Sequence, residues 1–205
     1  MPMGEGGAAL MMLRNRPAMA IAGWGFIVRG NALSDSAIGG NCTLTCAQYK
    51  SSSIFKVEVE VGGPDWYIPF ADRAARYCDV PRDQRDGTLV VTFPMNGCAL
   101  EVHSTADGNR FFHDSDGKSM VYDGDGQIKF RADYSTYAGP GETAHVRSER
   151  YFGPDKENAG GYEHTVVCVK VGAMWEVYAS AILRVEPEAW QIKDNVPYSL
   201  GSFAD

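Results

Sequence analysis

The 205-residue sequence predicts an α+β fold: an antiparallel β-sandwich core with a few flanking short helices. Three observations lead there. Phe55, Val57, Val59 and Val61 alternate with Lys56, Glu58 and Glu60, the period of a strand with one buried face. Thr165 to Val171 and Met174 to Val185 flank Gly172-Ala173, which suits a two-residue II′ turn, and Trp175, Val177, Ala179, Ala181, Leu183 and Val185 form one apolar face. Helical patterning is confined to short stretches, with no internal repeat and no low-complexity block.

Taken in order, the Gly-rich start to about residue 19 reads as a tail or a short helix, and Ile21 to Val28 as the first strand. Ser34 to Lys50 is polar and weakly patterned. After the Phe55 to Val61 strand, Phe70 to Cys78 (FADRAARYC) has the composition of a short helix. Gly87 to Phe93 is a strand running into the turn Pro94-Met-Asn-Gly97. Cys98 to His103 and Arg110 to His113 read as the arms of a hairpin around Ser104 to Asp107. Short strands at Ser119 to Tyr122 and Gln127 to Ala132 are separated by Asp123-Gly-Asp-Gly126, and the late hairpin follows. The whole chain reads as a single domain over residues 1–205, with 1–19 and about 190–205 as tails.

The formal charge of −7 argues against a nucleic-acid surface and against peripheral binding to anionic membranes. No apolar run approaches the roughly 20 residues of a membrane span, so a soluble protein is expected. The run Ala8 to Leu13 is broken by Arg14 and Arg16, which makes a poor secretory signal. Cys42, Cys46, Cys78, Cys98 and Cys168 are an odd number in a chain too long to need stapling, so at least one free thiol is expected.

Cys98 is the thiol with a partner at hand. Pairing across a Ser104 to Asp107 loop joins residues whose numbers sum to 211, which sets Cys98 directly opposite His113 with Cβ atoms about 5 Å apart. A histidine at that reach activates a thiol. Other pairings fail on geometry: His103 falls on the opposite face, and His164 and Cys168 lie roughly 13 Å apart along one strand. His145 has no cysteine near it in sequence. Cys42 and Cys46 have a loose C-x3-C spacing without histidines, weak as a zinc motif. Gly97 lets a substrate carbonyl approach the backbone N–H groups of an oxyanion hole, with Asn96 completing the turn. Asp114 points away from its neighbour His113, so some other acceptor must take the second imidazole N–H, and Thr92 is the candidate. Asp114-Ser-Asp-Gly117 and Asp123-Gly-Asp-Gly126 lack the distal ligands of a calcium loop and read as turns. No metal and no cofactor is called for.

The run Thr92-Phe-Pro-Met-Asn-Gly-Cys98, followed by His113-Asp114, resembles the active-site segment of the cysteine-dependent glutamine deamidase toxins, the family of the cytotoxic necrotizing factors and Burkholderia lethal factor. The resemblance spans about twenty residues and carries Asn96 where the family usually has serine. It implies a β-sandwich fold, with Cys98 as nucleophile, His113 as base and Thr92 as the orienting residue. It implies deamidation of a glutamine in a host protein of the small GTPase or translation factor class. It further implies a monomeric bacterial effector that is exported or injected to act in the host cytosol. Two rivals share the sequence evidence: a transglutaminase or other thiol amidase, and a non-enzymatic β-sandwich binding protein in which Cys98 is core.

Overall fold

The computed structural model describes residues 4–30, 38–49, 51–117, 127–139, 142, 144, 161–186, 189–192 and 198–205. Two helices, α1 (Glu5–Asn15) and α2 (Pro17–Gly23), lead into strands β1 (Gly25–Gly30), β2 (Gly40–Tyr49), β3 (Ser51–Val61), β4 (Asp65–Ile68), β5 (Ala75–Pro81), β6 (Leu89–Thr92), β7 (Ala99–Ser104), β8 (Gly108–Asp114) and β9 (Ile128–Ala132). The short helix α3 (Tyr134–Tyr137) precedes β10 (Gly161–Val171), β11 (Met174–Glu186), β12 (Ala189–Ile192) and β13 (Ser199–Ala204). The protein is β-rich with few helices, an α+β arrangement.

A large sheet has the order β1-β3-β2-β4-β6-β10-β11-β12, with β13 also paired to β11, and a small sheet has the order β5-β8-β7-β9. Strand parity explains how they stack. On β6, Leu89 and Val91 join a core with Leu10, Leu13 and Ile21 of the helices, whereas Val90 joins a second core with Leu100, Val102 and Phe111 of the small sheet. The central strands are therefore buried on both faces, by helices on one side and by the small sheet on the other. The margins of the large sheet approach each other: Ile27 of β1, Ile54 of β3 and Ile182 of β11 share a third cluster, and the Phe26 N–H donates to Ser180 Oγ at 2.8 Å.

The α1 helix is fixed by more than its apolar stripe. A Cβ at Gly6 would sit 1.8 Å from the Cys46 carbonyl oxygen, so glycine permits the close approach to β2. At the other end Arg14 binds both carboxylate oxygens of buried Asp65 and the Gly87 carbonyl, and Asp65 accepts the Leu89 N–H at 3.0 Å. The clamp joins helix, β4 and β6.

The strands at 55–61, 165–171 and 174–185 lie where the alternation puts them, and Val171 pairs with Met174 across Gly172-Ala173. Other elements differ from the sequence expectation. Residues 70–78 do not form a helix. Arg73 has φ +54°, which ends any helical run, and β5 follows, with Cys78 and Val80 buried on alternate positions. The first strand starts at Gly25, because Pro17 opens α2 and Ile21 belongs to that helix. Most of the polar stretch 34–50 is strand β2, which pairs along β3 and needs only Cys42 and Leu44 buried. The segment from 190 on contains part of β12 and all of β13. Ser119 to Tyr122, Asp123 to Gly126 and His145 lie outside the described residues.

Candidate functional site

The chain crosses from the large sheet to the small one between β6 and β7, and the Thr92, Cys98 and His113 positions flank that crossing. Thr92 is the last residue of β6. Pro94 has no N–H to continue the ladder, so the strand ends there. Met95 then makes a two-bond bridge with His164 of β10: its N–H donates to the His164 carbonyl at 2.6 Å, and the His164 N–H donates back at 3.2 Å. Gly97, at φ +97°, supplies the left-handed turn that a larger residue would resist, and Cys98 leads into β7.

The hairpin register corrects one expectation. Leu100, not Cys98, faces His113, and paired residues sum to 213. The cause is the loop: Ser104 stays in the ladder opposite Asn109, Gly108 pairs with Pro81 of β5, and the Thr105 N–H donates to the Gly108 carbonyl at 2.9 Å. A shift of two keeps every face unchanged. Extended by one rung, the register makes Cys98 a diagonal neighbour of His113 on the same face, roughly 7–8 Å away rather than about 5 Å. The Cys98 thiol makes no hydrogen bond to His113 Nε2, which is buried without a partner.

Thr92 and His113 do meet. The Thr92 Oγ1 to His113 Nδ1 separation is 2.5 Å, and Thr92 Oγ1 also lies 3.0 Å from the Ile68 carbonyl, its register partner on parallel β4. A carbonyl only accepts, so the single hydroxyl proton goes to Ile68, and Nδ1–H must be the donor to Thr92. In the neutral ring Nε2 then carries a bare lone pair. Phe70 covers the imidazole at 5.3 Å between ring centroids. Burial pushes the His113 pKa down to about 3, so the ring is neutral.

The site is sealed. Cys98 is 5% exposed, His113 0% and Thr92 1%, and Cys98 packs with Ile68, Met95 and Leu100 in the core between the sheets. Asn96 is partly buried in the turn. The Gly97 N–H expected in an oxyanion hole is engaged here: it donates to the Tyr137 hydroxyl at 3.2 Å, and that hydroxyl donates to the Cys98 carbonyl at 2.8 Å.

Sequence reasoning did not single out Tyr137, Glu142 or the role of His164. Tyr137 ends α3, whose start is capped by Asp133 accepting the Ser135 N–H. Its ring packs on His164 at 5.0 Å, and His164 Nε2 lies 2.5 Å from Glu142 Oε2. Asp133 before Ser135-Thr136 was the available signal for the cap, but nothing local links Tyr137 to Cys98, thirty-nine residues away.

The remaining candidates separate from this cluster. His103 lies on the opposite face, 2.5 Å from Glu101, which also pairs with Arg131. Asp114 is buried and closes a turn by accepting the Asp116 N–H at 3.4 Å, with Gly117 at φ +67°. Burial pushes the Cys42 and Cys46 thiols up to about 12 and raises Cys78 and Cys168 as well, which leaves them protonated and inert. Among the described residues no group of three or more His, Cys, Asp or Glu side chains is placed to hold a metal ion. No described helix is long and apolar enough to cross a membrane. Comparison with protein-family models and with curated proteins finds no match to this chain.

Proposed function

We propose that the chain is a cysteine-dependent protein-glutamine deamidase, with Cys98 as nucleophile, His113 as general base and Thr92 as the residue that orients the imidazole. One observation carries the reading. Thr92 spends its proton on Ile68 and so fixes the His113 tautomer with Nε2 bare, on the face that Cys98 shares. Leaving that nitrogen buried without a partner costs roughly 1–3 kcal/mol.

In the reaction His113 Nε2 takes the Cys98 proton, and the thiolate attacks the carboxamide carbon of a glutamine side chain. The carbonyl oxygen becomes an oxyanion held by backbone N–H groups of the Gly97-Cys98 turn. The imidazolium returns the proton to the departing ammonia, leaving a thioester, and water activated by the same Nε2 hydrolyses it to glutamate. The His113 pKa of about 3 is that of the closed form. Opening to substrate and water raises it and brings the thiolate–imidazolium pair within reach. The two sheets form the layers of a β-sandwich in this reading, and the partner is a host protein of the small GTPase or translation factor class, met by a bacterial effector.

The test is ammonia release with Gln-to-Glu conversion, read by mass spectrometry of host-cell extract exposed to the protein. Both should vanish in Cys98→Ser and His113→Ala; retention in either variant refutes the proposal. A labelled primary amine in the same incubation distinguishes transglutaminase chemistry, which would incorporate it. A second reading, a non-enzymatic β-sandwich with Cys98 as core, draws on the 5% exposure of that residue. It predicts that alkylation below neutral pH never favours Cys98 over the other thiols.

A further inference from the structure

Tyr137 does something unusual for a core tyrosine: its one oxygen ties together two peptide groups that flank the proposed nucleophile. It accepts the Gly97 N–H and donates to the Cys98 carbonyl. Burial first, and then the neighbouring Cys98, raise its pKa, so the phenol keeps the proton that the second bond needs. The ring is held independently, by packing on His164 and Tyr134, while His164 is fixed by Glu142 and by its backbone bridge to Met95. Glu142 in turn accepts the Gly139 N–H at 3.0 Å, just beyond α3. The helix is thus tied to β10 by side chains and to the Cys98 turn through the Tyr137 hydroxyl.

We propose that Tyr137 is the latch of the Cys98 site, its phenol oxygen occupying the position that the substrate's carbonyl oxygen takes when the site opens. The inference rests on Cys98 being the nucleophile and names the oxyanion position within that reading. An oxygen 3.2 Å from the Gly97 nitrogen is the acceptor that an oxyanion would replace, and both cannot bind that N–H at once. Substrate entry exchanges one acceptor for another: the phenol leaves Gly97 and the Cys98 carbonyl, and the carboxamide oxygen takes its place at the Gly97 N–H. No covalent change is required of Tyr137. It is a positioning residue, acting through the backbone of the turn.

The experiment is site-resolved alkylation. Folded wild type and Tyr137→Phe are treated with iodoacetamide, and the labelling rate of each of the five cysteines is read by peptide mass spectrometry. Phenylalanine keeps the ring on His164 and deletes only the latch bonds. The expected result is a rise of about tenfold in the Cys98 rate, as loss of two net hydrogen bonds implies, with Cys42, Cys78 and Cys168 unchanged. An unchanged or slower Cys98 rate overturns the latch. A common acceleration of all buried thiols also overturns it, because Tyr137 would then merely hold the fold. Should Cys98 be selectively unmasked while the variant and wild type release no ammonia from glutamine substrates, the latch stands and the deamidase assignment fails.

Discussion

Replacing His113 by glutamine should flatten the acid limb of this protein's stability curve. The imidazole is wholly buried and burial lowers its pKa from 6.5 to about 3, so below pH 6.5 the unfolded chain takes up a proton that the folded chain refuses. Stability is therefore lost as pH falls from 6.5 toward 3. At pH 5 the offset is 1.5 units, worth about 2 kcal/mol at roughly 1.36 kcal/mol per unit. Glutamine does not titrate, so the variant lacks this term while sharing every carboxylate contribution with the wild type. Urea unfolding at pH 7.5 and pH 5.0 isolates it. The wild type should lose about 2 kcal/mol more than His113→Gln between the two pH values, whatever the variant's absolute stability. Parallel losses would refute a buried, neutral His113, and with it the argument for a bare Nε2.

Thr92→Val deletes both the acceptor for Nδ1–H and the donor to Ile68, and should cost about 1–3 kcal/mol in urea unfolding, with Thr92→Ser restoring most of it. If the reaction assignment holds, Thr92→Val should also lower ammonia release by about 10² or more in a steady-state assay, through loss of the fixed tautomer. Arg14→Ala leaves the Asp65 carboxylate buried without its cation and should cost about 3–5 kcal/mol, measured by chemical denaturation. Gly97→Ala meets a φ of +97° and should cost roughly 1–3 kcal/mol, seen as a lower thermal midpoint.

What was legible in the sequence follows from where side chains alone decide structure. Phe55, Val57 and Val59 of β3 and Trp175, Val177 and Ala179 of β11 each line a core at every second position, a pattern that needs no partner to be read, although Ile54, Tyr178 and Ile182 on the other faces are buried too and Val61 is exposed. Strand β5 hides behind good helix formers such as Ala74, Ala75 and Arg76; its pairing with β8 is a long-range fact that overrides local propensity. The β2 segment was obscured because few of its side chains are buried, and backbone pairing to β3 does the rest. In the site, the common face of Cys98 and His113 was deducible from strand parity, whereas the Thr92 to His113 contact joins two different sheets and lies beyond what parity can give. The two-residue register shift was not, since it depends on Gly108 belonging to the β5 ladder. Tyr137 was invisible because it reaches Cys98 only through the fold.

Thr92 and His113 spring from different layers, so their short bond works as a vernier between them. A slide of one sheet over the other changes that bond along with the apolar contacts around it. Alignment of the two sheets and orientation of the His113 ring are thereby linked, so a substitution far from Cys98 that shifts one sheet will also be felt at this hydroxyl.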